Sequence, residues 1–251
     1  VVTEKDHVTM RSLERAIDIL EVLEDASMPL RLVDIASRTG LHNATTQRIL
    51  AVLETRRRVE RDGAGYRAGV SLIFGAHAYV TTNPLVAAAR PVLQELASRT
   101  TLTTSLFVRS GWHRAAVARV HGSRPLGYEL PIGAKLPLFL GSGKTLIAEL
   151  SAEELDAFLT AVEPMINADR KVVSSESLRS DLAQVKKQGF HVSRSERQIG
   201  ALSISAPVRS ARTANIIGAL AIGAAREDVP EHETEALTVE VRRAAAAIVA
   251  N

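Results

Sequence analysis

The run Gly141-Ser-Gly-Lys-Thr145 carries the most chemically suggestive residue types in the chain. A loop of the form Gly-x-x-x-x-Gly-Lys-Ser/Thr wraps phosphates with its backbone N–H groups. The full motif needs a glycine five residues before Gly143, and that position is Leu138, so nucleotide hydrolysis is not expected. The same residues also read as a helix start whose free N–H groups suit a carboxylate, or equally as an ordinary helix beginning. Ser203 and Ser205 offer hydroxyls but lack the Gly-x-Ser-x-Gly elbow of an esterase nucleophile. The histidines (7, 42, 77, 113, 121, 191 and 232) show no His-x-x-x-His or His–carboxylate spacing, and cysteine is absent. No metal site, thiolate nucleophile or cofactor is therefore expected. Glu153/Glu154 and Asp228/Glu231 stand at helix starts and read as capping charges rather than as a paired acid and base. Trp112, after the Ser110-Gly111 turn, reads as a packing or interface residue. An enzyme would need a clustered catalytic constellation, and none emerges.

A different chemistry resides in residues 42–61, where Arg48, Arg56, Arg57, Arg58 and Arg61 face only Glu54 and Glu60. With Thr46, Leu50 and Leu53 turned inward at helical spacing, the opposite face presents Asn43, Ala44, Gln47, Arg48 and Ala51. Gln47 can pair bidentately with adenine, and Arg48 with guanine or a phosphate. Thr45 can bond a phosphate or a base, and the two alanines permit close approach to a groove floor. Arg56–Arg58, Arg61 and Arg67 are placed for backbone contacts that position a protein on a duplex without reading it. A charge run is also what an ordinary solvated face looks like, so the surrounding elements have to decide.

Those elements favour a reader of double-stranded DNA. After ten polar residues that are expected to fray, Ser12 offers an N-cap, and Leu13, Ala16, Ile17, Leu20 and Leu23 give 12–25 one apolar face. Asp25–Pro29 ends that helix. Leu32, Ile35 and Ala36 mark a second, closed by Gly40 at the left-handed C′ position. Asn43 can cap a third, and residues 59–68 look like two short strands around a glycine turn. Helix, helix, tight turn, helix, hairpin is the order of a winged helix-turn-helix. Residues 70–100 are again helical, with Pro84 and Pro91 as breaks or starts. Beyond 101, strands are expected at 102–109, 115–120, 201–208 and 216–223, and helices at about 143–150, 152–162 and 175–188 and from near Glu231. Ser151-Ala-Glu-Glu154 is a capping-box pattern, and Gly189 terminates the third of these helices. The fold class is α+β, with a small reading domain and a larger mixed sensor-type domain.

Bulk properties bound this reading. In 251 residues, 46% hydrophobic, a packed core is expected. The formal charge of +3 arises outside the reading segment: residues 1–69 hold 11 basic and 11 acidic side chains, and residues 70–251 hold 20 and 17. Local clustering, not net charge, therefore carries the nucleic-acid argument. Apolar stretches such as Ala201–Val208 are too short to cross a bilayer, and Val-Val-Thr-Glu-Lys-Asp lacks the order of a secretory signal. A cytoplasmic protein with no membrane partner is expected.

Ser12-Leu-Glu-Arg-Ala-Ile-Asp-Ile-Leu20, Ile35-Ala36, Gly40-Leu41, Thr45-Thr-Gln-Arg-Ile-Leu50 and Tyr66-Arg-Ala-Gly69 resemble the N-terminal pattern of the isocitrate-lyase-regulator (IclR) family. The resemblance continues through Leu136-Pro137-Leu138, Ser142-Gly143-Lys144, Gly189-Phe190, Glu196, Gly200 and Ile204-Ser-Ala-Pro-Val208, and so spans almost the whole chain. One departure is Arg31, where the family often has a Ser or Thr cap. The resemblance implies a winged helix-turn-helix over 1–69, a linker helix over 70–82 and a GAF-like effector-binding domain over 83–251. It implies a transcription regulator, most often a repressor of a catabolic operon, working as a homodimer or a dimer of dimers. DNA contacts are expected from Asn43, Thr45, Gln47, Arg48, Arg57 and Arg61. Carried over by position, effector contacts fall to Tyr128, Gly141, Ser142, Ser193, Ser203 and Ala221, a mixture suited to a small organic acid, aromatic ones included. Arg194 and Arg197 lie nearby in sequence as possible counter-ions.

Overall fold

The computed structural model describes residues 10–124, 126, 128 and 130–250, so most of the polar stretch expected to fray lies outside the described residues. Two compact units divide the chain, one ending at Tyr79 and the other beginning at Val80.

The first unit contains α1 (Arg11–Glu24), α2 (Leu32–Thr39), α3 (Asn43–Thr55) and a hairpin of β1 (Val59–Asp62) and β2 (Gly65–Ala68). Ile19 and Leu23 of α1 meet Ile35 of α2, Leu50 of α3, and Leu30, Val59 and Tyr66 in one apolar core. Gly40 closes α2 in the left-handed conformation (φ 67°), its amide donating to the Ala36 carbonyl. Leu30 and Tyr66 exchange two backbone hydrogen bonds (2.9 and 2.8 Å), which tie the hairpin to the entrance of α2. Helix starts differ slightly from expectation. Met10, not Ser12, caps α1, and His42, not Asn43, precedes α3. The His42 carbonyl accepts from the Thr46 hydroxyl as well as its amide, so the first turn closes one residue early. Arg31 precedes α2 without a side-chain cap on the helix backbone, and its guanidinium pairs with the carboxylate of Asp34 in the first turn (3.0 Å).

Helix α4 (Leu72–Thr82) contains the division between the units. Asn83 then caps α5 (Pro84–Thr100) by accepting from the Leu85 and Val86 amides, with Pro84 in the first turn and Pro91 inside the helix.

The second unit is built on an antiparallel sheet of β3 (Thr103–Ser110), β4 (His113–Val120), β5 (Leu136–Pro137), β6 (His191–Arg194), β7 (Ala201–Arg209) and β8 (Ile216–Ala225). Their order is β5-β4-β3-β8-β7-β6. The short edge strands β5 and β6 were not expected from periodicity. Leu106, Leu202, Ile204, Leu220 and Ile222 point to one face, where α5 and α9 (Glu233–Ala247) cover them. Phe107, Ala116, Ala219 and Ala221 point to the other, under α6 (Ser142–Ile147), α7 (Ala152–Val162) and α8 (Ser175–Gln188). The expected capping box is present at Ser151/Glu154, and Gly189 ends α8 at φ 77°.

A bulge decides what the second face carries. Leu106 pairs with Ala118 but Phe107 with Ala116, leaving Val117 as the extra residue of β4. Side chains alternate along a strand, so Arg114 and Arg119, five apart, would ordinarily point to opposite faces. The extra residue reverses the alternation and brings both to the face of Phe107.

Candidate functional site

On the first unit, α3 presents Asn43, Gln47, Arg48 and Ala51 to solvent while Thr46 and Leu50 are buried and Leu53 is half-buried. Thr45 is half-buried beside this face. The side chains of Gln47, Arg48, Arg56 and Arg57 make no hydrogen bond or ion pair among the described residues. The hairpin arginines behave differently. Arg61 donates to the Tyr66 hydroxyl (2.7 Å), stacks on that ring and lies 3.7 Å from Glu54. Arg67 pairs with Asp62 and Glu60 (3.2 and 3.5 Å). The cations on the reading helix and just after it are thus available, whereas those on the hairpin are partly neutralised from within.

On the second unit, the expected ligand residues gather on the sheet face beneath α6. Ser193 of β6 pairs in register with Ser203 of β7, which in turn pairs with Gly223 of β8. One row along, Arg119, Ser105, Ala221, Ser205 and His191 lie side by side across five strands. Tyr128, Gly141, Ser142, Ser193 and Ser203 line one small cavity together with Phe107, Arg114, Leu130, Glu196 and Arg197. Ala221 is buried in the floor of the neighbouring row and does not line it. The cavity is small, leaving about 40 Å³ for the centres of water molecules.

Two glycines shape its rim. Gly141 has φ 55°, a conformation that side chains rarely adopt. A Cβ on Gly143 would lie 2.4 Å from the Leu138 carbonyl oxygen, so only glycine lets α6 pack this closely on the preceding segment.

The charge distribution is unusual for an interior. Arg114 is 3% exposed, and donates to the Pro137 and Leu140 carbonyls (3.1 Å each) and to the Ser142 hydroxyl (2.8 Å). It also stacks on Phe107, and no carboxylate pairs with it among the described residues. Burial foremost, and then the neighbouring Arg197, pull its pKa down to about 9. Arg119 donates to the Ser105 hydroxyl (2.9 Å) and to the Leu130 carbonyl. Burial, with a smaller contribution from Arg197, lowers its pKa too. Arg197 stacks over Tyr128. One terminal nitrogen each of Arg119 and Arg197 (Nη2) is buried with no hydrogen-bond partner. Such an orphaned donor costs about 1–3 kcal/mol or more until an acceptor arrives.

Among the described residues, Glu196 is the carboxylate that lines this cavity, and it is already engaged. It accepts from the Gly141 amide (2.8 Å), from His191 Nε2 (3.0 Å) and from Lys144 Nζ (3.0 Å). Burial acts to raise its pKa; the hydrogen bond and charge of His191, then Lys144 and the Gly141 amide, outweigh that and hold it at about 2. Lys144, 4% exposed, also pairs with Asp181 (2.7 Å). The lysine that evoked a phosphate loop is therefore buried in an ion-pair network, and the Gly141 amide donates to the chain's own Glu196. Arg194 faces away to Glu231 (2.6 Å). Trp112 packs on Phe158 with ring centroids 5.6 Å apart. Sequence reasoning passed over Arg114, Arg119 and His191, and met Lys144 only as part of an incomplete phosphate loop. Only the bulged pairing of β4 and the closure of α6 against β6 bring them together.

Among the described residues, no group of His, Asp and Glu is placed to hold a metal ion, and no helix is long and apolar enough to cross a membrane.

Residues 12–63 match the IclR helix-turn-helix domain, and residues 77–250 match the bacterial transcriptional regulator IclR C-terminal domain. The chain is 27% identical over 242 residues to the HTH-type transcriptional regulator XynR of Escherichia coli, covering 95% of this chain and 96% of that one. It is also 27% identical over 247 residues to the transcriptional repressor IclR of the same organism, covering 87% and 88%. In fold it is similar to an IclR homologue of Microbacterium hydrocarbonoxydans solved with 4-hydroxybenzoate, with a TM-score of 0.71, 22% identity and coverage of 94% and 97%. Helix-turn-helix unit, mixed C-terminal unit and both domain matches agree: the chain belongs to the IclR family of DNA-binding transcriptional regulators.

Proposed function

We propose that this regulator represses a catabolic operon and responds to a small organic acid bound beneath α6. Helix α3 would lie in the major groove, with Gln47 and Arg48 reading base edges, and Asn43 and Thr45 contacting bases or phosphates near its start. Arg57, in the turn after α3, and Arg61 on the hairpin would contact the backbone. A homodimer or dimer of dimers would place two such helices on a pseudo-palindromic operator. Residues 1–69 form the reader in this scheme, 70–82 the linker helix and 83–251 the effector domain. The protein acts in the cytoplasm and is not an enzyme.

One observation carries the effector reading. Tyr128, Gly141, Ser142, Ser193 and Ser203 converge on a cavity lined also by the guanidinium groups of Arg114 and Arg197, of which Arg197 holds an orphaned buried N–H donor. An acid is the ligand class that would satisfy them. The homologue solved with 4-hydroxybenzoate supports the class, since that ligand is itself an organic acid. Ligand binding would change operator affinity to the extent that it favours one conformation of the regulator over another.

The test is a mobility-shift titration against the DNA upstream of the protein's own gene, beside random duplex, with and without candidate acids. A sequence-selective shift that disappears in Arg48→Ala and changes with an acid is expected. Equal affinity of wild type and Arg48→Ala would remove α3 as the reading element. An acid that binds without altering the shift would remove the switching role.

A further inference from the structure

The cavity beneath α6, about 40 Å³, is small for an organic acid, since sites for such ligands run to roughly 300–1,000 Å³. A second cavity of about 580 Å³ on the same measure adjoins it. Tyr128, Gln198 and Ala201 line both. The sheet gives the two a continuous floor. Ser203 and Gly223 form one row across β7 and β8, and Ala201 and Ala225 form the next row on the same face. Two residues along a strand separate these rows by about 7 Å. In the opposite direction the floor is shut, because the Thr145 hydroxyl of α6 meets the Ser205 hydroxyl (2.8 Å) and both residues are buried. On the side of β6, Glu196 holds Lys144 and His191 together (3.0 Å each). A ligand that outgrows the inner cavity therefore extends towards Ala201 and Ala225.

The boundary between the two spaces is drawn by side chains. Arg197 stacks over Tyr128, 4.7 Å from the ring centroid, and Gln198 follows it in the loop between β6 and β7. Neither the Arg197 nor the Gln198 side chain makes a hydrogen bond or ion pair among the described residues. The backbone that carries them is held on both sides. The Ser195 amide donates to the Ala201 carbonyl (2.8 Å), the Gly200 amide to the Ser195 hydroxyl (3.0 Å), and the Gly141 amide to the Glu196 carboxylate (2.8 Å). Rotation of two side-chain tips thus joins the cavities without rebuilding the loop.

We infer that the effector is an elongated amphipathic acid: its carboxylate sits in the inner cavity against Arg197 and Ser142, and its apolar body passes Tyr128 and Gln198 to lie over Ala201 and Ala225. The inference rests on the effector-site reading given above and extends it from the acid head to the rest of the ligand. The outer cavity has the chemistry of a body site. Ile199, Ala201 and Ala225 offer it aliphatic surface, and Ile199 stands 63% exposed, a large apolar side chain left in water at the cavity wall. An apolar chain laid against these residues removes their surface and its own from water. At the head, the orphaned Nη2 of Arg197 gains the acceptor it lacks. The same arginine is therefore partition without the ligand and anchor with it.

The experiment is calorimetric titration of the purified full chain with acetate, butanoate, hexanoate and octanoate, and with octanedioate, whose far end is charged. Affinity should rise across the monoacids, by up to about fourfold for each methylene that enters the outer cavity. Octanedioate should bind about tenfold or more weakly than octanoate, because its second carboxylate is carried onto apolar surface. Ala225→Phe fills the outer floor and Ile199→Glu sets a charge at its wall, and each should shrink the ratio of octanoate to acetate affinity. Ile199 is exposed, so its variant keeps the test decisive if Ala225→Phe does not fold, and the melting temperature without ligand reports folding for both. Arg197→Gln should weaken every acid by a similar factor, since it removes a contact to the head. Three results overturn the inference: affinity independent of chain length, a length dependence that survives both outer-cavity variants, or octanedioate matching octanoate. In each of them the inner effector site stands as long as Arg197→Gln weakens binding. If no acid of any length binds, the effector-site reading falls as well.

Discussion

Glu196 stands where three donors meet, and its carboxylate is a point of stability as well as of site geometry. Its pKa of about 2, against an ordinary 4.5, means that folding favours the ionised form. A depressed folded-state pKa stabilises fully above the unfolded value, and that stabilisation is lost as pH falls from about 4.5 towards 2. At about 1.4 kcal/mol per pKa unit the contribution is on the order of 3 kcal/mol. The urea midpoint should therefore drop between pH 5 and pH 3, and Glu196→Gln should show a smaller drop over the same interval from a lower starting stability. An equal pH response in the two proteins would place the acid sensitivity elsewhere. On the reading helix the distinction is between specificity and grip. Arg48→Ala should cost roughly 1–3 kcal/mol on the operator and relax base preference. Arg57→Ala should weaken binding to operator and random duplex alike, because a phosphate contact carries no base information. Competition binding with single-base operator variants separates the two outcomes.

Elements determine whether those residues meet, and α6 is the critical one. Its approach to Leu138 depends on Gly143, where an added methyl would lie 2.4 Å from a backbone oxygen and 2.6 Å from the Leu138 Cα. Backbone yields less readily than a side-chain tip, so Gly143→Ala should destabilise the protein by on the order of 3 kcal/mol. It should also weaken acid binding, while a shift of operator affinity without any loss of melting temperature would contradict this role for the glycine. Elements with strong local signals were legible in the sequence. The Gly40 and Gly189 stops, the Ser151/Glu154 capping box, the α3 stripe of Thr46 and Leu50, and the long apolar strands β7 and β8 all lie where their residues placed them. The two-residue strand β5 and the four-residue β6 carry too few residues for periodicity to show. Helix starts moved by two residues at α1 and by one at α3 because Met10 and His42 can close a first turn through backbone bonds alone. The resemblance named Tyr128, Gly141, Ser142, Ser193 and Ser203, which share one cavity, and Arg197 beside them, but not Arg114 or Arg119. By simple alternation Arg114 and Arg119 belong to opposite faces, and only the unpaired Val117, fixed by tertiary pairing, places them together.

At the scale of the whole molecule, the basic character of the chain is a poor guide to how it holds DNA. The segment that carries the reader is electrically balanced, with 11 cations against 11 anions in residues 1–69. Arg61 and Arg67 are partly neutralised by Glu54, Glu60 and Asp62. Arg48, Arg56 and Arg57 remain as exposed, unengaged cations on and just after α3. Each phosphate neutralised contributes about −0.9 to the slope of log affinity against log salt, so with Arg48 on a base edge, Arg56 and Arg57 give about −2 per protomer. A dimer on its operator should then show a slope of about −4, shallow for a two-site binder. Arg57→Ala should reduce it by about 2, one contact in each protomer. Titrations of operator duplex at four or more salt concentrations measure it directly. A slope near −10 would mean that the hairpin arginines leave their internal partners on binding and join the phosphate contacts. In that case Arg61→Ala should flatten the salt dependence as strongly as Arg57→Ala. If the slope is shallow and Arg61→Ala leaves it unchanged, the hairpin steers the reading helix through shape and packing. Its arginines then serve to hold the Tyr66 corner against α3.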